Sequence, residues 1–439
     1  MDYECAEKYG PVMRAFTMRC VAAILAGAIV LSSGAAGLAR AHAEAPATTY
    51  TISIDKAMWE KWGFQYPATY VFRVSAVSPE AKAERRDGPS GEWTPLAVRT
   101  ADDLFSGIEC VRWDAAQGRA YVSVGFHTAN TIELRLAGVG SAEFDSTAAY
   151  YDHRKAAYTL SNDNWGRLAT ANPGAAWQGP TNDASDKYQA AVHVCRGFHL
   201  PLSIAINSHM AGGPAMWQRM QEELHPGELA WEPAIHTRTH PCSVHAYEAD
   251  GYQAQILGCR DDILKNLSNI PYGQHVFEYI LPCGYHDDRL AATAAREFLF
   301  LRPYNGHDNP ASTVFAAWNG KYGYFDGAGY ETKSYDSVLQ RRRPQGRYYA
   351  HDVALLNAAF DAVYEKEGIF YAMWHSDRYE NSVIHDPRPG VDGTAGSTLI
   401  QHLAYVANRK DVWYVANGWL YSYRYVADHA RVAAGRDER

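Results

Sequence analysis

The sequence predicts an α/β chain in which a distorted (β/α) barrel, residues 151–430, is preceded by a small β-sandwich, residues 44–150. Three observations predict it. Up to about Leu136 the apolar segments are short, rich in β-formers and separated by Gly, Pro, Asp and Asn. After about Tyr150 strand-length apolar runs alternate with helical stretches, the pattern of strands laid parallel with helices between them. Finally, 439 residues with 47% hydrophobic content can bury a large core, enough for two or three domains.

Residues 1–43 read as an export signal. Arg14 and Arg19 precede the apolar run 21–31, too short for a membrane span, and Ala41-His42-Ala43 is a small-x-small cleavage site before Glu44. The residues ahead of Met13 or Met18 are an overlong gene start or an unusual n-region. The expectation is a secreted or periplasmic protein, attached to a membrane only if the segment is retained. Cleavage would remove Lys8, Arg14, Arg19 and Arg40 against Asp2, Glu4 and Glu7, and so shift the formal charge of −8 by one further negative unit. An acidic chain is not built for nucleic acid. The one sharp basic cluster, Arg341-Arg342-Arg343, reads as a solvated loop.

In the first domain the strand candidates are 50–54, 68–74, 120–126 and 131–136, and residues 79–93 read as a long exposed loop because of their charges and Gly88, Pro89 and Gly91. In the second they are 156–160, 202–206, 229–235, 276–281, 298–301 and 368–374. Helical stretches fall at 184–196, 215–224, 252–267, 288–298 and 353–366. Cys110, Cys195, Cys242, Cys259 and Cys283 remain after cleavage, an odd number, with Cys242 and Cys259 the preferred disulfide. Cys283, in Leu281-Pro282-Cys283-Gly284, reads as a small residue packed in a turn.

The chemistry is sought at the C-terminal ends of the barrel strands, where ligands gather in such folds. The most informative stretch is 232–241, Glu-Pro-Ala-Ile-His-Thr-Arg-Thr-His-Pro, which sets His236 and His240 four residues apart. One helical turn would bring both imidazoles to one side, where they can share a metal. A zinc protease would carry Glu after the first His, but that position is Thr237. Other strand ends supply Ser161-Asn162-Asp163-Asn164-Trp165 and, after 368–374, His375. Asp163, His236 and His240 together make an open three-ligand zinc site.

In this order of motifs, residues 156–425 resemble the polysaccharide deacetylase family, the NodB-homology group that includes carbohydrate esterase family 4. The matches are an Asp-containing segment after the first barrel strand, His-x-x-x-His, a Pro-Gly turn, a late strand ending in His, and the closing stretch 411–425. The resemblance implies an exported hydrolase that removes acetyl groups from a polysaccharide or cell-envelope glycan with Zn²⁺, or another divalent metal such as Co²⁺. His375 would be the general acid that protonates the leaving amine or alkoxide.

Two departures bear on mechanism. Where the family has two adjacent aspartates, base then metal ligand, this chain has Asn162 and Asp163. An amide cannot act as a base, so three readings stand: Asp163 is the metal ligand and another group is the base; the match slips by one, making Asp163 the base with Asn164 beside the metal; or catalysis is lost. The family's base-orienting Arg is also replaced, by the run Leu281-Pro282-Cys283-Gly284-Tyr285; Arg302 at the next strand end is a candidate to stand in for it, with a structural pairing to a carboxylate the favoured reading. Asp287 and Asp288 read as caps of the following helix, and Trp165, Tyr285 and Trp374 as candidates to stack on sugar rings. The alternatives are a non-catalytic glycan-binding protein on the same scaffold, and an envelope protein whose β-domain makes the contacts.

Overall fold

Alternation of apolar and polar residues builds the N-terminal half. In the computed structural model the described residues are 47–165, 192, 195–211, 214–224, 231–284, 288–302, 353–374 and 398–435. Along this half run β1 (Thr48–Ser53), α1 (Lys56–Trp62), β2 (Ala68–Ser75), β3 (Lys82–Asp87), β4 (Thr94–Pro95), β5 (Ala97–Arg99), β6 (Cys110–Asp114), β7 (Arg119–Val124), β8 (Thr131–Ala137) and β9 (Ser141–Thr147). In β8, Ile132, Leu134 and Leu136 are buried while the residues between them are partly exposed, the period-2 pattern of a strand with one covered face.

The second half carries β10 (Ala156–Trp165), β11 (Ser203–Ile206), α2 (Pro214–Glu223), β12 (Glu232–Ile235), α3 (Val244–Asp250), α4 (Tyr252–Asn266), β13 (Glu278–Ile280), α5 (Asp288–Glu297), β14 (Phe300–Arg302), α6 (Val353–Tyr364), β15 (Ile369–Trp374), α7 (Thr398–Val406), β16 (Val412–Tyr414), α8 (Asn417–His429) and β17 (Arg431–Ala434). Two five-stranded sheets occupy the first half, ordered β17-β1-β8-β3-β4 and β5-β6-β7-β2-β9. Their apolar sides meet, with the rings of Tyr50 on β1 and Phe72 on β2 4.8 Å apart. The last strand, β17, returns to pair with β1, and residues 44–439 form one compact unit. The third sheet is parallel, ordered β14-β13-β12-β11-β10-β15, with β16 also against β10.

One expected loop is a strand. Within 79–93, β3 pairs with β8 and buries Ala83 and Arg85, while its outward charges find cross-strand partners: Arg86 Nε donates to Glu133 at 2.7 Å and Arg135 Nε to Glu84 at 2.8 Å. Paired charges mimic loop composition in a sequence but act as side-chain ladders in a sheet. Among the described residues, no helix is long and apolar enough to cross a membrane.

The parallel sheet has two unlike faces. Tyr158, Leu160, Ile204, Ile206, Ile235, Tyr279 and Leu281 pack with Met220 of α2 and with Ile256 and Ile263 of α4 in one apolar cluster. By strand alternation the opposite, inner face carries Thr159, Ser161 and Asp163 on β10, Ser203 and Ala205 on β11, Glu232 and Ala234 on β12, and Glu278 and Ile280 on β13. Ala205, Ala234 and Ile280 form a small apolar layer of their own. Beneath it, α8 closes the floor. Its N-cap residue Ala416 has no capping side chain, and its first amides are satisfied from the sheet. Asn417 N–H donates to Ser203 Oγ at 2.8 Å, Gly418 N–H to Glu232 Oε1, and Asn417 Nδ2 to Glu278 Oε1 at 3.1 Å.

Candidate active site

Above the small layer the inner face becomes polar again, at the C-terminal ends of the strands. Asp163 is 5% exposed on β10 and Arg302, at the end of β14, is 1% exposed. Arg302 Nη2 donates to Asp163 Oδ2, a buried charge-assisted bond. Ser161 Oγ donates to the other oxygen, Oδ1, at 3.3 Å, and Tyr371 of β15 lies with its hydroxyl 2.6 Å from Ser161 Oγ. The guanidinium sits 5.8 Å from the Tyr371 ring centre. Burial works most strongly against the Arg302 charge, yet Asp163, Tyr371 and Glu278 together outweigh it and raise the guanidinium pKa. Arg302 Nε and Nη1 have no hydrogen-bond partner among the described residues.

Asn162 is buried, at 1% exposure, but stands on the opposite face of β10 from Ser161 and Asp163. The Ser161 to Asp163 contact is the signature of that alternation.

His236 follows β12 on the inner face and is 2% exposed; His240 is 9% exposed. Their ring centres are 4.7 Å apart with planes at 69°. The helical turn expected to join them is absent: residues 236–243 are a loop, in which Thr237 (φ 67°) and His240 (φ 61°) take left-handed backbone. That conformation is costly for a β-branched residue and is held locally. Thr237 Oγ1 donates to the His236 carbonyl at 2.5 Å and accepts the His240 N–H at 3.1 Å, and Asn207, just after β11, donates to the carbonyls of His236 and Thr237. Arg238 ties the loop to α4 through a two-pronged pair with Asp262, at 2.8 and 2.9 Å.

The tautomer of His236 follows from its neighbour. Nδ1 lies 2.8 Å from the carbonyl of Ile280, which can only accept, so Nδ1 carries the proton and Nε2 the lone pair. A backbone acceptor behind a ring nitrogen is the usual support of a metal-binding imidazole. The donor chemistry of this pair fits a divalent transition metal.

Cys242 is bonded to Cys283, not Cys259. Cys259 is buried on α4, where its thiol donates to the Ile206 carbonyl at 3.3 Å, while Cys283 lies in the 3₁₀ turn Pro282–Gly284 across from the histidine loop. The Cys283 reading as a mere packing residue is corrected with it. Ligand atoms of His240, Cys242 and Cys283 all lie within 4.8 Å of one another. The structure thus brings His236 and His240 together, and Asp163 to Arg302. His375, Tyr285 and Asp287 lie outside the described residues, as do the side chains of Asn164, Trp165, Asp288 and Trp374.

The floor carries carboxylates that the sequence reading did not single out. Glu232 and Glu278 are 3% and 0% exposed. Burial raises Glu232 to about 7 despite its bonds from Ser203, Gly418 and Trp419; Glu278 is raised further by burial and by the Glu232 charge. The apolar neighbours Ala234 and Ile235 in sequence make Glu232 read as a strand residue, and only a buried acid in a parallel strand hints at its partner helix.

No family model matches the sequence, and no curated protein matches it. Parts of the chain match solved structures described as polysaccharide deacetylases or family 4 members, at low identity. A protein of Mycobacterium smegmatis assigned to the polysaccharide deacetylases is 15% identical, with a TM-score of 0.41, over 68% of this chain and 100% of its own. A family 4 carbohydrate esterase from Streptomyces lividans, solved with acetate, is 16% identical with a TM-score of 0.25, over 35% and 64% of the two chains. A family 4 pseudoenzyme from Bacillus anthracis is 10% identical with a TM-score of 0.29, over 50% and 56%.

Proposed function

We propose that this protein is an exported, metal-dependent deacetylase acting on an acetylated polysaccharide or cell-envelope glycan. The observation that carries the reading is the pair His236 and His240, side by side at a strand end, with His236 Nδ1 committed to Ile280. These two imidazoles would hold the cation, Zn²⁺ or Co²⁺. When bound, such a metal supplies charge stabilisation to an acyl oxygen and makes water acidic near neutral pH.

The chain's own residues do the rest. Asp163 is the general base in this reading. Arg302 fixes one of its oxygens and Ser161 the other, so the carboxylate is oriented before substrate arrives. Arg302 thereby stands in for the orienting arginine absent from 281–285. A guanidinium this close disfavours direct metal ligation by the same carboxylate, which is why the base role is preferred to the ligand role for Asp163. Asn162, on the other strand face, takes no part in proton transfer, and His375 is proposed as the acid that protonates the leaving nitrogen or oxygen.

A second reading, glycan binding without turnover, is favoured by one observation: an amide, Asn162, occupies the first of the two positions where the resembled family has carboxylates. Acetate release from a panel of N- and O-acetylated glycans separates the two. Export is tested by N-terminal sequencing of the mature protein, with cleavage between Ala43 and Glu44 expected.

A further inference from the structure

We propose that Cys242, Cys283 and His240 form a second, redox-gated metal site: a disulfide when oxidised, and a two-thiolate, one-imidazole site for a thiophilic divalent cation when reduced. This goes beyond the deacetylase reading and does not depend on turnover.

Three features carry it. His240 Nδ1 lies 3.5 Å from Cys242 Sγ, and the ligand atoms of all three residues fall within 4.8 Å of one another, near enough for side-chain rotation to bring them to the spacing of about 3.3–3.8 Å between the donors of a tetrahedral cation. Both cysteines are solvent-exposed, so reductant and metal can reach them. The other described cysteines are different. Cys110, Cys195 and Cys259 are buried, and burial pushes the thiols of Cys110 and Cys259 up to about 11.

The two halves of the site also sit where a change matters. Cys242 is two residues beyond His240, and Cys283 three beyond Ile280, whose carbonyl holds His236. The disulfide therefore joins the loop that carries both histidines to the strand end that sets the His236 tautomer. In the chemistry proposed, a dithiol reductant gives up two electrons and becomes a disulfide, the Cys242–Cys283 bond breaks, and each sulfur takes up a proton. Both protons leave to solvent as the thiolates bind the cation. His240 belongs to both donor sets, so a cation held by the thiolates draws it away from His236.

The test is a Co²⁺ titration of the full chain under anaerobic conditions, with and without prior dithiol reduction. An intense near-ultraviolet thiolate-to-cobalt band, saturating at equimolar Co²⁺ and seen only after reduction, is expected. It should be lost in the double variant Cys242→Ser/Cys283→Ser. Independently, Zn²⁺ should protect Cys242 and Cys283 of the reduced wild-type chain from alkylation, read by peptide mass spectrometry. Absence of the band from the reduced wild type, its persistence in the double variant, or unchanged alkylation with Zn²⁺ would each overturn the proposal. Acetate release is read separately, so a band without turnover sinks only the deacetylase reading.

Discussion

Arg302, at the end of β14, donates to Asp163, near the end of β10, although three strands lie between them in the sheet. In a flat sheet strands four places apart are roughly 19 Å away from each other, beyond the joint reach of an arginine and an aspartate. The pair therefore exists only because the sheet curls, and it reports the closure that turns a row of strand ends into a site. Tyr371, on β15 at the other edge, reinforces this: its hydroxyl meets Ser161, and the Arg302 guanidinium lies beside its ring.

Breaking that pair should be costly. Arg302→Met leaves a carboxylate buried without its partner, and the expected loss is roughly 3–5 kcal/mol. The double variant Asp163→Asn/Arg302→Met should lose less than the sum of the two single variants. Urea unfolding of the four proteins checks it.

Asp163→Asn separates base from ligand. The amide keeps the shape and can still accept from Arg302, so metal content should be unchanged while acetate release falls by roughly 10²–10⁴-fold. Loss of metal in this variant would return Asp163 to the ligand set. His375→Ala should likewise keep metal and lose turnover.

The floor predicts a pH dependence. Glu232 has a folded pKa of about 7 against the ordinary 4.5. The folded chain therefore holds a proton that the unfolded chain releases, and this stabilising share is complete below about pH 4.5 and lost as pH rises through about 7. Glu232→Gln keeps an acceptor for Ser203 and Gly418 without the charge. Its stability relative to wild type should rise between pH 5 and pH 8, measured by urea unfolding; an unchanged difference would contradict the assignment.

Gly418 is fixed by the same floor. A Cβ there would lie 2.5 Å from Glu232 Oε2 and 2.9 Å from Cβ of Phe277, an atom too near its own backbone to swing aside. Gly418→Ala should cost about 1–3 kcal/mol despite the better helix propensity of alanine, read as a lowered urea midpoint.

How much of this was legible in the sequence depends on the kind of signal. The parallel strands were legible because both faces are covered, and 368–374 is continuously apolar while 202–206 is broken only by Ser203. β3 was not, because its outward residues are charges paired across the sheet. His236 and His240 were legible as a pair at a strand-to-loop transition, but a strained, hydrogen-bonded loop sets them side by side, not the helical turn that their spacing suggests. Arg302 was visible as a cation at a strand end, while its meeting with Asp163 depends on sheet curvature, which no local pattern encodes. The disulfide shows the same limit. Cys259 is nearer to Cys242 in sequence, but it sits on the core side of α4, and Cys283 arrives from the next strand.

The most direct test strips the purified protein of metal with a chelator, measures acetate release from acetylated glycans, and repeats the assay after restoring Zn²⁺ or Co²⁺, beside the variant His236→Ala/His240→Ala. Release should vanish with the metal, return with it in the wild type, and not return in the variant. A variant that still takes up a full complement of metal and releases acetate at the wild-type rate would contradict this.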